Sequence, residues 1–321
     1  MKNKIIKSNL IILGSGPAGY TASIYASRSN LSPILITGEE VGGQLLKTEK
    51  IENWPSQYNS ISGRKLMKNF YKHAKKFGTK IYEKKITKVI FNNSIITLIC
   101  ENTIFKSYSL IIATGSIPKK LGIKSEKKFI GKGISSCALC DGFFYKNKIV
   151  AIVGGGNSAI EEAIYLSKIV KKIYLIHRRN TWKAEKILLD RLLKKTKTKK
   201  IKIYLNYEIK KIYGNNNSIQ SVKIISNKTK KSRIIYISGL FISIGYTPQT
   251  NLFKKKLKMK NGYIKTNFGK HGNFTSTSYP GVFAAGDAID HVYKQAITAS
   301  SSGCMAAIDA EKYLSNIKNL I

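Results

Sequence analysis

The chain has 321 residues, of which 43% are hydrophobic, and it carries 56 basic against 17 acidic residues, a formal net charge of +39. This length predicts two domains, and the apolar and aromatic content excludes an intrinsically disordered chain. No uninterrupted apolar stretch approaches the roughly 18 residues that a membrane-spanning helix requires.

The positive charge is carried mainly by lysine. Only 6 of the 56 basic residues are arginine, the residue type that makes bidentate contacts to bases and phosphates. The densest lysine runs, residues 194–202 and 254–260, lack the interleaved aromatic side chains of a single-strand binding groove. We therefore expect no nucleic-acid binding, although a basic surface would speed encounter with an acidic protein partner at low salt.

Residues 9–13, with the apolar run 10–13, are predicted to form the first β-strand. The apolar run is too short for the core of a signal peptide, and it leads directly into Gly14 and Gly16 without a small-x-small cleavage site. We therefore predict a cytoplasmic protein.

A strand, a glycine turn and a helix follow one another twice along the chain. The first turn is the G-x-G-x-x-G that begins at Gly14, and the second is the G-x-G-x-x-A that begins at Gly154. Each copy closes with an apolar strand and a G-x-x-P turn, at Gly115 and Gly245, which are 101 and 91 residues further on. Two copies of one βαβ fold are the simplest account of this repeat.

The residues after Pro248 belong to neither copy. They include a strand-like run at 281–285 and a helix-like segment from about 295 to 314 with small and apolar positions. We therefore predict an α/β protein with two Rossmann-like, three-layer dinucleotide-binding domains, one inserted into the other. The outer domain is 1–117 plus 247–321, and the inserted domain is 118–246.

The residues after the second strand of each copy predict which nucleotide binds there. In the first copy this strand ends in Glu39 and Glu40, which suit an unphosphorylated ribose; in the second it ends in Arg178 and Arg179, which suit a 2′-phosphate. The inserted domain is therefore predicted to bind NADPH. FAD fits the outer domain, because flavin mediates between a hydride and a disulfide; a glycine turn without a ligand is the alternative for each copy.

Cys137 and Cys140 form a C-x-x-C immediately before the second nucleotide strand. A zinc site would need two more ligands, and neither the histidines, at positions 73, 177, 271 and 291, nor the other cysteines supply a close pair. A redox-active pair is favoured, because the i, i+3 spacing at a helix start suits a disulfide and because a helix N-terminus lowers the thiolate pKa. Asp141 is then a candidate acid/base, and Cys100 and Cys304 are predicted to fill the core.

Together these motifs resemble the bacterial-type, low-molecular-weight thioredoxin reductases over essentially the whole chain. The resemblance is carried by the following segments: 14–19, 42–44, 52–55, 113–115, 137–142, 154–157, 177–179, 285–287 and 295–296. The combination is specific, because the C-x-x-C lies in the inserted domain rather than near the N-terminus, as in the glutathione-reductase-like relatives.

The resemblance implies binding roles that add to those expected from the residues themselves. The FAD site, one per subunit, takes in Gly14, Gly16, Pro17, Ala18, Gly19, Thr37, Gly38, Glu39, Glu40, Val41, Gly42, Gly43, Gln44, Asn53, Asp287, Ala288, Ile289, Asp290, His291, Val292, Tyr293, Lys294, Gln295 and Ala296. The NADPH site takes in Gly154, Gly156, Asn157, Ser158, His177, Arg178, Arg179 and Lys183.

The resemblance also implies a mechanism. Cys140 faces the flavin, Cys137 exchanges with thioredoxin, and Asp141 donates or accepts the proton. The family is homodimeric, and its inserted domain rotates to bring first the nicotinamide and then the cysteines to the flavin. Two departures bear on this: Lys183 stands where the family has a third arginine, and Leu139 stands where it has a threonine between the cysteines.

Three alternative functions agree less well with the sequence. The reductase component of a peroxide-reducing system normally carries an extra N-terminal redox domain, which is not seen here. A ferredoxin/NADP reductase lacks the cysteine pair. A charge-driven nucleic-acid binder leaves both glycine turns and the C-x-x-C unexplained.

Overall fold

The computed structural model describes residues 4–92, 95–267 and 273–318. The chain divides into two compact units, one made of Met1–Ile117 with Thr247–Ile321 and the other of Pro118–Tyr246. The short strands β7 (Ser116–Pro118) and β16 (Tyr246–Pro248) carry the chain out of the first unit and back.

The first unit is built on a seven-stranded sheet. Six strands follow the order β3-β2-β1-β6-β5-β4, and the seventh, β19, pairs with the end of β6 beyond the part that pairs with β5. The strands are β1 (Lys4–Leu13), β2 (Ile34–Ile36), β3 (Lys80–Tyr82), β4 (Lys88–Asn92), β5 (Ile95–Cys100), β6 (Thr103–Ile112) and β19 (Val282–Ala284). The central strands are parallel, whereas β4 and β5 form antiparallel pairs. Residues 10–13 of β1 are fully or almost fully buried, as expected for a strand covered on both faces.

Helices α1 (Pro17–Arg28), α2 (Gly63–Lys76) and α7 (Ala296–Lys318) belong to this unit. A Cβ on Gly303 of α7 would lie 2.2 Å from the carbonyl oxygen of Ala18 in α1, so small residues let these two helices pack closely. The opposite face of the sheet packs on Phe253, Leu257 and Ile264. The short antiparallel strands β17 (Met259–Lys260) and β18 (Tyr263–Ile264) lie in this last part of the chain.

The second unit contains a five-stranded parallel sheet in the order β11-β10-β9-β15-β8 and a three-stranded antiparallel sheet in the order β12-β13-β14. The strands are β8 (Ile134–Ser135), β9 (Ile149–Val153), β10 (Lys172–His177), β11 (Ile201–Leu205), β12 (Tyr207–Gly214), β13 (Ile219–Ser226), β14 (Ser232–Tyr236) and β15 (Gly239–Ile242). The helices are α3 (Glu126–Phe129), α4 (Ala138–Asp141), α5 (Asn157–Leu166) and α6 (Lys186–Thr196).

The two faces of the parallel sheet in this unit have separate cores. One face packs on α5 and α6, and the other packs on the three-stranded sheet. In both units a parallel strand runs through a glycine turn into a helix and back to a neighbouring parallel strand, as β1-α1-β2 and as β9-α5-β10. The predicted fold class, α/β with two Rossmann-like units, is confirmed.

Candidate functional site

The first glycine turn, between β1 and α1, is closed on one side and open on the other. A Cβ on Gly14, whose φ is +114°, would lie 2.2 Å from the carbonyl oxygen of Ala113, and a Cβ on Gly19 would lie 1.8 Å from that of Gly14. Among the described residues, no atom lies within 4 Å of a Cβ on Gly16. Helix α1 begins at the next residue, Pro17, so the open position lies at a helix N-terminus, where backbone N–H groups can bind a phosphate.

Ser15 joins this turn to the loop after β2. Its hydroxyl donates to the carbonyl of Thr37 at 3.3 Å and accepts the N–H of Gly42 at 3.0 Å. A Cβ on Gly43 would lie 3.4 Å from the Cα of Gly16. The structure therefore brings the predicted FAD residues 37–44 against the glycine turn. Sequence reasoning missed Ser15, which occupies a variable position of the motif.

The acidic pair in this loop is exposed. Glu39 pairs with Lys85 at 3.0 Å and Glu40 with Lys47 at 3.2 Å. Exposed pairs of this kind hold their partners weakly, so both carboxylates remain able to accept a hydrogen bond from a ribose hydroxyl.

The loop between β19 and α7 lies against the start of α1. A Cβ on Gly286 would lie 2.9 Å from the Cβ of Ala18, and the Gly286 N–H donates to Ser302 Oγ at 2.8 Å. Further along, Gln295 Oε1 accepts a hydrogen bond from Asn53 Nδ2 at 3.5 Å. Two predicted FAD residues that are far apart in the sequence therefore meet.

Asp290 shapes the middle of the same loop. Its carboxylate accepts the backbone N–H groups of Val292, Tyr293 and Lys294 at 2.8, 2.8 and 2.9 Å. The Lys294 ammonium donates to the carbonyl of His291. Asp290 therefore fixes the backbone of the predicted FAD residues that follow it.

Asp287 is the most perturbed carboxyl of this region. Burial raises its pKa from 3.8 to about 6, while a hydrogen bond from Ser116 Oγ at 3.2 Å opposes the shift. Two residues after the end of β6, the buried Oγ1 of Thr114 has no partner among the described residues. Ser116 and Thr114 were not predicted as site residues, because their relation to Asp287 and to the turn is not local in the sequence.

The second glycine turn, between β9 and α5, has the same construction. A Cβ on Gly154 would lie 2.4 Å from the carbonyl oxygen of Ser243, whereas no described atom lies within 4 Å of a Cβ on Gly156. Asn157, the first residue of α5, exchanges two hydrogen bonds with Glu185: its Nδ2 donates to Oε1 at 3.0 Å, and its Oδ1 accepts the Glu185 N–H at 2.9 Å. The next residue, Ser158, is exposed.

The basic residues after β10 lie beside this turn. Arg178 and Arg179 are exposed, and the N–H of Lys183 donates to the carbonyl of Gly155 at 2.8 Å. The buried ring of His177 stacks on Trp182 with centroids 5.0 Å apart. The stack and the backbone bond fold residues 177–183 back onto the glycine turn.

Cys137 and Cys140 form a disulfide with their Cα atoms 5.3 Å apart, in agreement with the predicted pairing. Cys137 is the N-cap of α4, and its Sγ accepts the N–H of Cys140 at 3.1 Å. Leu139, between the two, is 61% exposed. The disulfide therefore lies on a short turn whose outer side is apolar.

Asp141 ends α4, next to the disulfide. Burial raises the pKa of its carboxyl, and a hydrogen bond from Ser135 opposes the shift. Burial, together with the Asp141 charge, raises the pKa of Tyr145 to about 12. Asp141 therefore keeps its proton to a higher pH than an exposed aspartate does.

The two other cysteines differ in their surroundings. Cys100 is buried in the core, as expected, whereas Cys304 on α7 is only partly buried and its thiol contacts the Tyr25 hydroxyl. Within the described ranges, His, Cys, Asp and Glu side chains form no group of three suited to a metal ion; His271 lies outside these ranges. Over the same ranges, no helix combines the length and apolarity needed to span a bilayer.

Comparison with known proteins supplies a family. Residues 8–303 match the model of the pyridine nucleotide-disulphide oxidoreductases. A thioredoxin reductase of Buchnera aphidicola subsp. Acyrthosiphon pisum (strain APS) is 57% identical over 317 residues, 98% of this chain and 99% of the relative. A solved thioredoxin reductase from Giardia duodenalis superimposes with a TM-score of 0.89 at 35% identity, covering 96% of this chain and 99% of that one. A Pseudomonas fluorescens relative named glucosaminate ammonia-lyase is 47% identical over 312 residues, 97% of each chain.

Proposed function

Because the chain belongs to the pyridine nucleotide-disulphide oxidoreductase family and, within it, to the thioredoxin reductases, we propose that it reduces the disulfide of thioredoxin with electrons from NADPH, with FAD as its bound cofactor. The observation that carries this proposal is the Cys137–Cys140 disulfide. It lies in the same compact unit as the second glycine turn and precedes β9, the strand that leads into that turn.

The first unit has the features that FAD requires. Gly16 offers open backbone at the start of α1, where a pyrophosphate would be held. Buried Thr114 Oγ1 has no described partner, and Asp287 is a partly buried carboxyl that would hydrogen-bond polar groups of the flavin chain. When bound, FAD supplies the chemistry that couples a two-electron hydride donor to a disulfide.

The second unit has the features that NADPH requires. The Gly156 position is open in the same way. The guanidinium groups of Arg178 and Arg179 are exposed on the loop that Lys183 ties to the glycine turn, and their donors match the oxygens of a 2′-phosphate. Lys183 adds charge there without a guanidinium fork, so NADPH preference rests on the two arginines.

The cysteine pair then exchanges with the protein substrate. The Cys137 thiolate attacks one sulfur of the substrate disulfide, forming a mixed disulfide and releasing the other substrate sulfur as a thiolate. The Cys140 thiolate attacks Cys137 Sγ, which reforms the intramolecular disulfide and releases the second substrate thiolate. Two electrons have then passed to the substrate, which takes up two protons.

Asp141 serves this exchange as a proton donor. Its raised pKa lets the carboxyl hold a proton beside the sulfurs and give it to a departing thiolate. After the transfer the carboxylate is stabilised by the hydrogen bond from Ser135. Homodimer formation, cytoplasmic location and the absence of nucleic-acid binding remain predictions from the sequence and the resemblance.

The visible absorption spectrum of the purified protein tests the cofactor assignment. We expect flavin bands that NADPH bleaches under anaerobic conditions; a colourless protein would refute it. The same preparation, incubated with glucosaminate, tests the other activity in the comparisons. We expect no ammonia release, since the elimination of ammonia from glucosaminate would make no use of the Cys137–Cys140 disulfide.

A further inference from the structure

A second partly buried carboxyl contacts the disulfide segment. Glu162, on α5, accepts a hydrogen bond from the hydroxyl of Ser243 and another from the backbone N–H of Ala138. Ala138 lies between the two disulfide-bonded cysteines and is fully buried. Glu162 is therefore attached to the short segment that holds both sulfurs.

Other hydrogen bonds also hold this part of the chain, including one from the Tyr246 hydroxyl to the carbonyl of the adjacent Ser136 at 2.8 Å. The Cys137 N–H donates to Ser135 Oγ at 3.0 Å, and the Cys140 N–H donates to Cys137 Sγ at 3.1 Å. Both of these bonds are made within the segment and the strand that precedes it. The bond from Ala138 to Glu162 instead joins the segment to a helix about 20 residues further along the chain.

The other hydrogen-bond partner of Glu162, Ser243, lies against the second glycine turn. The N–H of Ser243 donates to the carbonyl of Val153 at 2.8 Å, and a Cβ on Gly154 would lie 2.4 Å from the Ser243 carbonyl oxygen. One carboxylate thus connects three places: the disulfide segment, α5, and the strand end behind the predicted NADPH turn.

Burial makes this position costly for a carboxylate. It raises the pKa of Glu162 to about 7, with Glu161 adding to the rise, while the hydrogen bonds from Ser243 and Ala138 oppose it. An apolar residue of similar size would avoid this cost, but it would leave the Ala138 N–H without an acceptor.

We propose that Glu162 is a positioning residue for the Cys137–Cys140 centre, holding the Ala138 amide against α5 so that the two sulfurs stay within bonding distance. Two thiols held close together reform their disulfide more readily than two that can separate. Glu162 thus stabilises the disulfide against reduction. The inference rests on the proposed function only in taking this disulfide as the working centre.

The test measures the disulfide directly. Purified wild-type protein and the variants E162A, E162Q and S243A are equilibrated at pH 7 in buffers of dithiothreitol and its cyclic disulfide. Free thiols are then trapped by alkylation and counted by mass spectrometry. In this exchange the dithiothreitol is oxidised to its ring, and Cys137 and Cys140 become thiols. D190N, an exposed acid on α6, is the matched control.

We expect E162A to shift the exchange equilibrium about tenfold toward the dithiol, which for this two-electron couple corresponds to about 30 mV. E162Q keeps an acceptor for the Ala138 N–H and should shift the equilibrium by less than about threefold, because a neutral acceptor retains part of the bond. S243A should shift it in the same direction as E162A but by less, and D190N should match wild type.

Equal equilibrium constants in wild type and E162A would overturn the proposal. So would equal shifts in E162A and E162Q, since the effect would then be one of charge alone. If E162A does not fold, S243A decides: a shift toward the dithiol supports the proposal, and a wild-type value overturns it. The measurement uses neither NADPH nor thioredoxin, so a failure of the proposed function would not be mistaken for a failure of this inference.

Discussion

The backbone N–H of Lys183 donates to the carbonyl oxygen of Gly155 at 2.8 Å. This bond closes the loop that carries Arg178 and Arg179 onto the second glycine turn. It gives a structural reason why a pair of arginines after β10 would meet the 2′-phosphate of a nucleotide whose pyrophosphate lies at Gly156.

The double variant Arg178→Ala, Arg179→Ala tests this relationship. Loss of charge-assisted hydrogen bonds to the phosphate should raise the KM for NADPH by about 10- to 100-fold. The KM for NADH should change little, because NADH has no phosphate there. Steady-state kinetics with both nucleotides give the ratio; equal increases for the two would contradict the assignment.

Asp141→Asn tests the role of Asp141 as a proton donor. The variant keeps the shape of the side chain but cannot give up a proton, so kcat for thioredoxin reduction should fall by about 10²-fold or more. The KM for NADPH should stay unchanged.

The pH dependence of the rate gives a second test of Asp141. Because burial raises the Asp141 pKa, the wild-type rate should fall as pH rises through that pKa and the carboxyl loses its proton. The Asn variant should lack this alkaline limb. A variant with wild-type kcat and an unchanged profile would remove Asp141 from the mechanism.

Asp287→Asn should stabilise the flavin-free protein at neutral pH. The Asp287 pKa is raised in the folded state to about 6, so folding favours the protonated form. Its contribution to stability is fully present below pH 4 and is lost as pH rises through 6. A shift of about two pKa units corresponds to about 2–3 kcal/mol.

Thermal unfolding at several pH values measures this effect. The variant should exceed wild type at pH 7 and match it near pH 4, while binding flavin more weakly at both. If wild type and variant unfold alike at pH 7, the partly buried Asp287 carboxylate does not destabilise the folded protein, which would contradict the prediction.

Gly14→Ala and Gly16→Ala form a matched pair within one turn. At Gly14 the φ of +114° and the Ala113 carbonyl at 2.2 Å leave no room for a methyl group, so the variant should lose about 2 kcal/mol or more of stability. At Gly16 the backbone is extended and no described atom lies near the new methyl.

Gly16→Ala should therefore unfold at the wild-type temperature and yet retain much less flavin after gel filtration. Calorimetry and the visible spectrum distinguish the two effects. Full flavin retention in Gly16→Ala would argue that the open side of the turn is not where the cofactor lies.

The sequence predicted much of this architecture because its signals are local. Apolar runs such as residues 10–13 and the glycine turns at Gly14 and Gly154 carry their pattern within a few residues. The Cys137–Cys140 pair could be predicted for the same reason, since its geometry depends on one helical turn.

Other site residues were missed because their partners are distant in the sequence. Ser15 meets Gly42, Ser116 meets Asp287 and Glu162 meets Ser243, at separations of 27, 171 and 81 residues. A serine or glutamate in isolation has no pattern that reveals such a contact. Cys304 shows the opposite error, since a small residue on a helix with a packed face proved only partly buried.

The most direct test of the account is NADPH-dependent reduction of a panel of thioredoxins by wild-type protein, Cys137→Ser and Cys140→Ser. We expect turnover with wild type and a loss of about 10³-fold or more in each variant, since neither can complete the exchange. The account would be contradicted if either variant reduced thioredoxin at the wild-type rate. It would also be contradicted if the wild-type flavoprotein reduced none of the thioredoxins.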